Sequence, residues 1–529
     1  MEEKIDNEQE GSAQGLFEKL STDRDNFLTR ARDCSKYTIP TLIPPEGNSS
    51  GTKYYTPYQG IGARGVNNLA SKLLLALLPP NSPFFRLQID DFTLEQLTKQ
   101  EGMRAQVEEG LNKIERAVQS EIESGAVRVS AFEAMKHLLV GGNALLYLPD
   151  EGGMRVFPLE KFVVRRDPMG NVLDIVVKEC LSKEALPKDI RDALPEEETR
   201  TTPQGGVKDV DLYTHVSFDD GKWHVYQEIK GMVVPDSTGT YPKDKSPWIP
   251  VRFTKVDGES YGRSYVEEYL GDIKSLEGLS QAIVEGSAAA AKVLFMVNAN
   301  GTTSQRTLAE ADNGAIVEGN AQDVTVLQLN KFNDFRVALE TSTRIEERLA
   351  YAFLLNSAVQ RNGERVTAEE IRYMANELES ALGGIYSILS QELQLPMVNR
   401  IMFAMERKKK LPILPKGTVK PVIVTGIEAL GRGNDMSKLQ MFFQAAGLIA
   451  QLPPEINKED ALKRLGTSLG IDMKGLVKSS EQIQAEQQQA QQMAMMQQAL
   501  TPAINQGGQL LKQGMANNAQ TPEQGAPGG

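Results

Sequence analysis

The sequence predicts an α+β protein that is mainly helical. Apolar residues recur at helical spacing over most of the chain, whereas short runs typical of β-strands are concentrated between residues 154 and 253. The chain has 529 residues, of which 40% are hydrophobic, and this is enough for roughly two to four domains with buried cores.

Composition and charge exclude several classes of protein. The formal net charge of -12 argues against a surface that binds nucleic acid everywhere, because phosphate binding needs clustered Lys and Arg. No apolar run is long enough to cross a membrane, and the acidic N-terminus MEEKIDNEQE differs from a signal peptide, so we expect a soluble protein made in the cytoplasm. Cys34 and Cys180 are far from any CxxC spacing, which favours buried, reduced thiols.

The first half should contain three helical segments. A polar arm, 1–15, leads into a helix, and the Pro- and Gly-rich segment 38–60 should form no regular element. A compact apolar helix, Val66 to Leu78, should stop at Pro79, and a third helical tract should run from Leu94 to Leu148 with breaks near Gly125 and Gly141.

Short strands should follow the helices, with one clear hairpin. The runs LYTHVSF and KWHVYQE flank Asp219, Asp220 and Gly221, which are typical turn residues.

The second half should present two helices around a small β unit. Tyr265 to Ala291 places eight apolar residues on one face and ends in the small-residue run GSAAAA, which permits close helix packing. VLFMVN, AIVEG and VTVLQL are predicted strands, and Phe335 to Leu355 returns as an amphipathic helix with Leu339, Ile345 and Leu349 in phase. The pattern indicates a stalk that carries a tip.

A polar loop should separate the stalk from a long helix. Thr367 and Glu370 form a capping box, which fixes the start of a helix that should continue to Pro396, with a bend at Gly383 and Gly384. Residues 436–476 should be helical, with a break at Pro453 and Pro454. The Gln- and Met-rich segment 481–498 can be a weak helix or a polar tract. The tail after Thr501 should be disordered.

Long, unusual strings make the sequence resemble the portal, or head-to-tail connector, of T7-like short-tailed bacteriophages. They are RARDCSKYTIPTLIPPEG (30–47), GARGVNNLASKLLLALLPPNSPFFRL (62–87), AVQRNGERVTAEEIRYMANELESALGGIYSILSQELQLP (358–396) and GIEALGRG (426–433).

The resemblance implies the portal order of regions. These are a flexible arm (1–15), wing (16–263), first stem helix (264–291), clip (292–330), second stem helix (331–356), channel loop (357–366), wing with a long helix and return strand (367–430), helical crown (431–500) and disordered tail (501–529).

The resemblance also implies a structural protein of the virion with no catalytic activity. The family would form a ring, expected to be dodecameric, at one capsid vertex, with double-stranded DNA in its channel. Its partners would be the terminase motor, scaffold and major capsid proteins, tail adaptors and internal core proteins, and it would use no cofactor, no metal and no membrane. Assembly would take place in the host bacterial cytoplasm.

The loop residues Arg361, Asn362, Gly363, Glu364 and Arg365 are the predicted DNA-facing site. Many copies around one axis would turn their mixed charges into alternating charged rings. From the residues alone, a plain connector between two helices is the simpler interpretation. The resemblance implies the constriction of the channel.

The main alternative is a dinucleotide-binding enzyme, because Gly60, Gly62 and Gly65 form a literal GxGxxG before a helix. The preceding KYYTPYQ contains Pro57 and lacks the apolar run of a buried parallel strand, which weakens the nicotinamide oxidoreductase hypothesis. An unrelated cytoplasmic scaffolding protein is the other alternative.

Other candidate sites are weaker. His215 and His224 should be diagonal neighbours across the hairpin, but no third metal ligand is apparent nearby. There is no GxxxxGK[ST] phosphate-binding loop, so any motor must be a partner. The basic run from Arg407 to Lys410 is typical of a solvated helix end.

Overall fold

The computed structural model describes most of the chain as mixed helix and strand. The described residues are 12–48, 51–80, 84–89, 103–182, 186, 191, 209–290, 294–327, 332–355, 382, 384–412, 419–423, 440–447, 449 and 458–469. The chain divides into two compact units, 1–429 and 430–529.

The described part of the first unit contains α1 (Ala13–Tyr37), α2 (Ile61–Leu77), α3 (Met103–Ser124), α4 (Val127–Gly141), α5 (Tyr265–Ala290), α6 (Gln305–Ala309), α7 (Phe332–Ala352), α8 (Ile385–Leu389) and α9 (Leu395–Arg407). The described part of the second unit contains α10 (440–447) and α11 (Lys458–Leu469). No helix within the described ranges is long and apolar enough to cross a membrane.

The strands of the described residues form four antiparallel sheets. Their bounds are β1 (Phe85–Ile89), β2 (Asn143–Tyr147), β3 (Arg155–Phe157), β4 (Phe162–Arg166), β5 (Val172–Leu181), β6 (Val210–Asp219), β7 (Lys222–Ile229), β8 (Met232–Val233), β9 (Gly239–Pro242), β10 (Trp248–Arg252), β11 (Leu294–Val297), β12 (Val324–Leu327) and β13 (Val419–Ile423). Strand β1 pairs with β13, and β11 pairs with β12. A three-stranded sheet has the order β10-β2-β3. A six-stranded sheet has the order β4-β5-β6-β7-β8, and its sixth strand, β9, pairs with β7.

The predicted hairpin is confirmed, together with its turn. Strands β6 and β7 pair from Asp219 opposite Lys222, and Asp220 and Gly221 between them have φ of 47° and 75°. Two consecutive left-handed residues make the turn type that matches the twist of the flanking strands, and Asp-Gly is a preferred sequence for it.

Helix α1 begins at Ala13, three residues before the predicted boundary. The Ser12 hydroxyl accepts from Gly15 N at 3.0 Å, and the Glu228 carboxylate accepts from Ala13 N at 2.8 Å. A side-chain cap and an anion at the positive end of the helix satisfy its free amides. Phe17 then packs on Tyr213, which fixes α1 against the six-stranded sheet.

The prediction of a helix as far as Leu148 is wrong at its end. Gly142, with φ of 72°, terminates α4, and Asn143–Tyr147 follows as strand β2 between β3 and β10. The run Ala-Leu-Leu is buried on both sides of this central strand, and a continuous apolar run cannot be assigned to helix or strand by periodicity.

Two other local predictions are corrected. Residues 315–319, AIVEG, form no strand, and Ile316 is fully exposed. The helix predicted to stop at Pro396 continues to Arg407, because a π-helical turn at Ser390–Gln394 precedes the proline. Proline lacks an amide hydrogen and is tolerated near the start of a helix, so the widened turn lets α9 begin there.

The two thiols differ in exposure. Cys34 is buried, and burial raises the pKa of its thiol to about 12, so it stays protonated at neutral pH. Cys180 is exposed on β5 and donates to Asp211 at 3.1 Å, which corrects the prediction that both thiols are buried.

Candidate functional site

Helices α5 and α7 form an antiparallel helical hairpin. The Tyr265 hydroxyl donates to the Ala352 carbonyl at 2.8 Å, which joins the start of α5 to the end of α7. Farther from that end of the hairpin, Arg348 of α7 pairs with Asp272 of α5 at 2.9 Å. These contacts join the two amphipathic helices that the sequence predicts.

The far end of the hairpin is packed closely through a glycine. A Cβ at Gly286 would lie 2.3 Å from the Phe335 ring, so the first residue of the small-residue run lets the two helices approach. A methyl group cannot occupy that space without displacing the ring.

The hairpin carries a small tip unit, residues 294–327. Strands β11 and β12 pair antiparallel, and the Asp323 carboxylate accepts from Thr302 N at 2.8 Å and Thr303 N at 3.2 Å. The tip unit has one arginine and no lysine against four carboxylates, and Phe295 and Ile316 are exposed on it. The tip unit is therefore acidic and leaves some large apolar side chains in solvent.

Helix α2 contacts the end of α7 through three residues, Gly65, Asn68 and Lys72, here called the α2 anchor. A Cβ at Gly65 would lie 2.5 Å from Cγ of Phe353, so only glycine allows this approach. Asn68 Nδ2 donates to the carbonyls of Phe353 and Leu354 at 2.9 and 3.1 Å. The buried Lys72 ammonium donates to the Leu354 carbonyl at 2.9 Å.

The end of α7 is a tight, left-handed turn. Leu355 N donates to the Ala350 carbonyl at 2.8 Å and Leu354 N donates to the Tyr351 carbonyl at 3.0 Å, the paired hydrogen bonds of a Schellman motif. Leu354 has a φ of 53° at the position where glycine is usual. The turn is therefore strained at a leucine whose side chain is buried.

Helix α2 also holds the chain where α8 begins. The Tyr386 hydroxyl donates to the Ala76 carbonyl at 2.7 Å, and Gln394 Nε2 donates to the Leu77 carbonyl at 2.6 Å. The chain is thus fixed by α2 on both sides of residues 356–381.

All five predicted channel residues, Arg361, Asn362, Gly363, Glu364 and Arg365, lie outside the described residues, as do Thr367 and Glu370 of the capping box. The structure does describe the two points at which the chain enters and leaves this region.

The GxGxxG segment has a packing role. No strand precedes Gly60, and β1 after the helix pairs antiparallel with β13, so the strand-helix-strand unit of a dinucleotide site is absent from the described residues 51–89. A Cβ at Gly62 would lie 2.7 Å from the Tyr37 carbonyl oxygen. Gly62 and Gly65 therefore let α2 approach its neighbours, whereas a Cβ at Gly60 would meet nothing within 4 Å.

A carboxylate occupies the place near the start of α2 where a phosphate would bind. Glu277 of α5 accepts from Tyr58 N at 2.9 Å, from Gln59 N at 3.2 Å and from the Tyr55 hydroxyl at 2.6 Å. The Tyr55 hydrogen bond to this carboxylate raises the pKa of Tyr55 to about 12. A second anion here would meet a like charge, which argues against nucleotide binding.

His215 and His224 are diagonal neighbours, as predicted, since they lie opposite Tyr226 and Ser217. His215 Nε2 contacts Asp174 Oδ1 at 3.1 Å, whereas His224 is exposed. Among the residues that the structure describes, no group of three His, Cys, Asp or Glu could hold a metal ion.

The basic run at the end of α9 is divided between ion pairs and solvent. Arg407 pairs with Asp150 at 2.6 Å and Lys410 pairs with Glu121 at 2.7 Å, while Lys408 and Lys409 are exposed. The run thus helps to fix α9 to the β2-β3 turn and to α3, beyond the solvated helix end that was predicted.

Sequence reasoning missed Asn68 and Lys72. The available signal was a lysine inside an otherwise apolar helix, since LASKLLLALL surrounds Lys72 with apolar residues. A buried ammonium needs hydrogen-bond acceptors, and carbonyls at the end of another helix provide them.

Comparison with known proteins places the chain in a family. A family described as bacteriophage head to tail connecting protein matches residues 10–477. The portal protein of Escherichia phage T7 is 46% identical over 523 residues, which cover 96% of this chain and 95% of that protein. The portal protein of Enterobacteria phage T3 is 47% identical over 488 residues, 90% of each chain.

A solved structure described as the neck of an empty gene transfer agent particle is also similar. It matches 78% of this chain and 90% of that chain at 11% identity with a TM-score of 0.36, which is too low to support an argument about the fold.

The family match spans most of the sequence, and the two phage relatives are near half identity over at least nine-tenths of it. The chain belongs to the bacteriophage head to tail connecting proteins, the portal proteins of T7-like podoviruses.

Proposed function

We propose that the chain assembles into a closed ring, a dodecamer, at one vertex of the capsid, and that double-stranded DNA passes through its central channel. The observation that carries this proposal is the set of exposed apolar side chains on the helical hairpin. Val284, Val337, Leu339 and Tyr351 are 53, 64, 58 and 78% exposed, although they lie on helices with buried stripes.

The distribution of these residues supports a ring over a two-fold dimer. Ile345 and Leu349 are buried on one face of α7, whereas Val337 and Leu339, two positions apart, lie toward opposite flanks of that face. A ring needs two different, complementary surfaces on each subunit, while a two-fold dimer needs a single self-complementary one. Apolar residues on both flanks fit the first arrangement.

The proposed channel constriction is the loop 357–366, with Arg361, Asn362, Gly363, Glu364 and Arg365 toward the axis. Its support is the position of the loop in the sequence, directly after a turn that α2 holds in place. Two arginines with one carboxylate, Glu364, between them would contact phosphates weakly, and a body with a net charge of -12 would let DNA move.

The remaining regions and partners complete the proposal. The tip unit is the clip, which would dock the terminase motor during packaging and tail adaptor proteins afterwards, and the crown would follow residue 430. The ring would nucleate shell assembly with scaffold and major capsid proteins in the host cytoplasm and would contact internal core proteins. Its role would be mechanical, without catalysis, cofactor or metal.

Negative-stain imaging of the purified full chain tests the ring directly. We expect round particles with a central hole at micromolar concentration, because the hairpin leaves apolar surface on two sides. Monomers, dimers or filaments without a channel would contradict the proposal.

Aspartate at both Val337 and Leu339 should prevent ring formation. Each subunit would then place two carboxylates in contacts that exclude water. Burying an unpaired charge costs several kcal/mol, which is roughly the binding free energy that one dominant interface residue contributes. Sedimentation velocity should show the variant as a folded monomer with wild-type circular dichroism.

The matched control is Val129→Asp, which changes a valine that is 74% exposed on α4, outside the hairpin. Rings should form in the control. Normal rings in the double variant would show that these flanks are not the subunit contacts.

A further inference from the structure

The turn at the end of α7 is unusual because its left-handed residue is a leucine. Within the described residues, six non-glycine residues have positive φ: Ala126, Asp220, Lys230, Asp236, Leu354 and Lys409. Leu354 alone among these six has a branched apolar side chain. Such a side chain is disfavoured in the left-handed region, so surrounding contacts must hold this conformation.

The contacts that hold it come from a different part of the sequence. Asn68 and Lys72 lie one turn apart on α2, about 285 positions before Leu354, and their donors reach the carbonyls of Phe353 and Leu354. These carbonyls belong to the end of a helix, where acceptors have no partner within the helix. A cation there also interacts favourably with the helix dipole.

The burial of Lys72 makes this arrangement specific. Its side chain is 5% exposed, and a buried ammonium requires acceptors in fixed positions. If α7 continued as a helix beyond Ala352, the Leu354 carbonyl would point along the helix axis. It could then not accept hydrogen bonds from both Asn68 and Lys72. The two side chains therefore favour the turn over a longer helix.

We propose that Asn68 and Lys72 are positioning residues that end α7 at Ala352 and set the direction in which the chain enters segment 357–366. This inference rests on the proposed function, in which that segment narrows the DNA channel. The wing helix α2 would then determine the position of the constriction without touching DNA.

Hydrogen exchange in the purified full-length protein tests the contact itself. The amides of Phe353, Leu354 and Leu355 donate to carbonyls within the turn, so their exchange reports its opening. In Asn68→Ala with Lys72→Met, these amides should exchange at least about tenfold faster, as expected for losing hydrogen bonds from a charged donor. Amides of α5 should be unchanged.

Two further variants separate positioning from general destabilisation. Asn67→Ala removes the neighbouring side chain, which is exposed and bonds to Ala63 of its own helix, and it should exchange like the wild type. Leu354→Gly, added to the double variant, should slow exchange again toward the wild-type rate, since glycine adopts the left-handed conformation without strain.

Particles carrying Asn68→Ala with Lys72→Met should assemble rings yet retain several-fold less DNA than the wild type. Wild-type exchange at residues 353–355, or faster exchange spread evenly over α5 and α7, would overturn the inference. Failure of the wild-type chain to form rings would instead contradict the proposed function, and the exchange result would still decide whether α2 holds the turn.

Discussion

Alanine at both Arg361 and Arg365 should leave ring assembly intact and greatly reduce the DNA that particles hold. In the proposed arrangement these charges face a water-filled channel, where a charge contributes little to folding stability, so the ring should melt within a few degrees of the wild type. Each arginine lost from every subunit removes phosphate contacts from the proposed constriction, and we expect at least about tenfold less retained DNA.

The measurement compares ring yield by imaging with DNA content per particle, at two salt concentrations. The salt dependence of retention should also become shallower, because fewer counterions are released when fewer phosphates are bound. Lys408→Ala with Lys409→Ala is the matched control, since it removes the same charge from an exposed helix end. Heads that fill, hold and eject DNA normally, or rings that dissociate, would refute the assignment of the loop.

Alanine at Gly65 should destabilise the protein, although helix propensity alone predicts the opposite. In an open helix position the same change stabilises by about 1 kcal/mol. At Gly65 the new Cβ would lie 2.5 Å from Cγ and 2.9 Å from Cβ of Phe353, which is fully buried and cannot move aside as a flexible side chain could. Overpacking of this kind typically costs about 1 to 3 kcal/mol.

The experiment is a comparison of apparent melting temperatures, with Gly110→Ala as the matched control. Gly110 lies inside helix α3, and a Cβ there would meet nothing within 4 Å, so that variant should be at least as stable as the wild type. A Gly65→Ala protein as stable as the control would show that α2 and α7 do not pack as closely as the structure describes.

Local pattern predicted one hairpin and three helices that the structure contains, but it did not predict every boundary. The β6-β7 hairpin followed from alternating residues around Asp-Gly. Apolar spacing also identified α2, α5 and α7. Some bounds were wrong, since α2 begins at Ile61 instead of Val66, and α7 ends at Ala352 instead of Leu355. Pro396 led to a wrong prediction of the helix end. The π-helical turn at Ser390–Gln394 lets the helix pass through the proline, and no residue pattern near it indicates that turn.

Apolar residues in phase did not all prove to be buried. Leu339 belongs to the predicted stripe of α7 but is 58% exposed, whereas Ile345 and Leu349 are buried. Periodicity identifies a helix and its apolar side, but the width of the covered stripe depends on which neighbours reach it. The exposed part is where the proposed ring contacts lie.

By itself the sequence determined the family, the presence of most helices, the β6-β7 hairpin and the two helices that flank the tip unit, because these depend on neighbouring residues and on long, distinctive strings. Tertiary structure alone decided that Asn143–Tyr147 is a strand and that the GxGxxG helix holds the end of α7. It also decided that Lys72 is buried beside Leu354. Those outcomes depend on contacts between residues more than 100 positions apart, where the acceptor for a lysine or the partner for a strand comes from a distant segment.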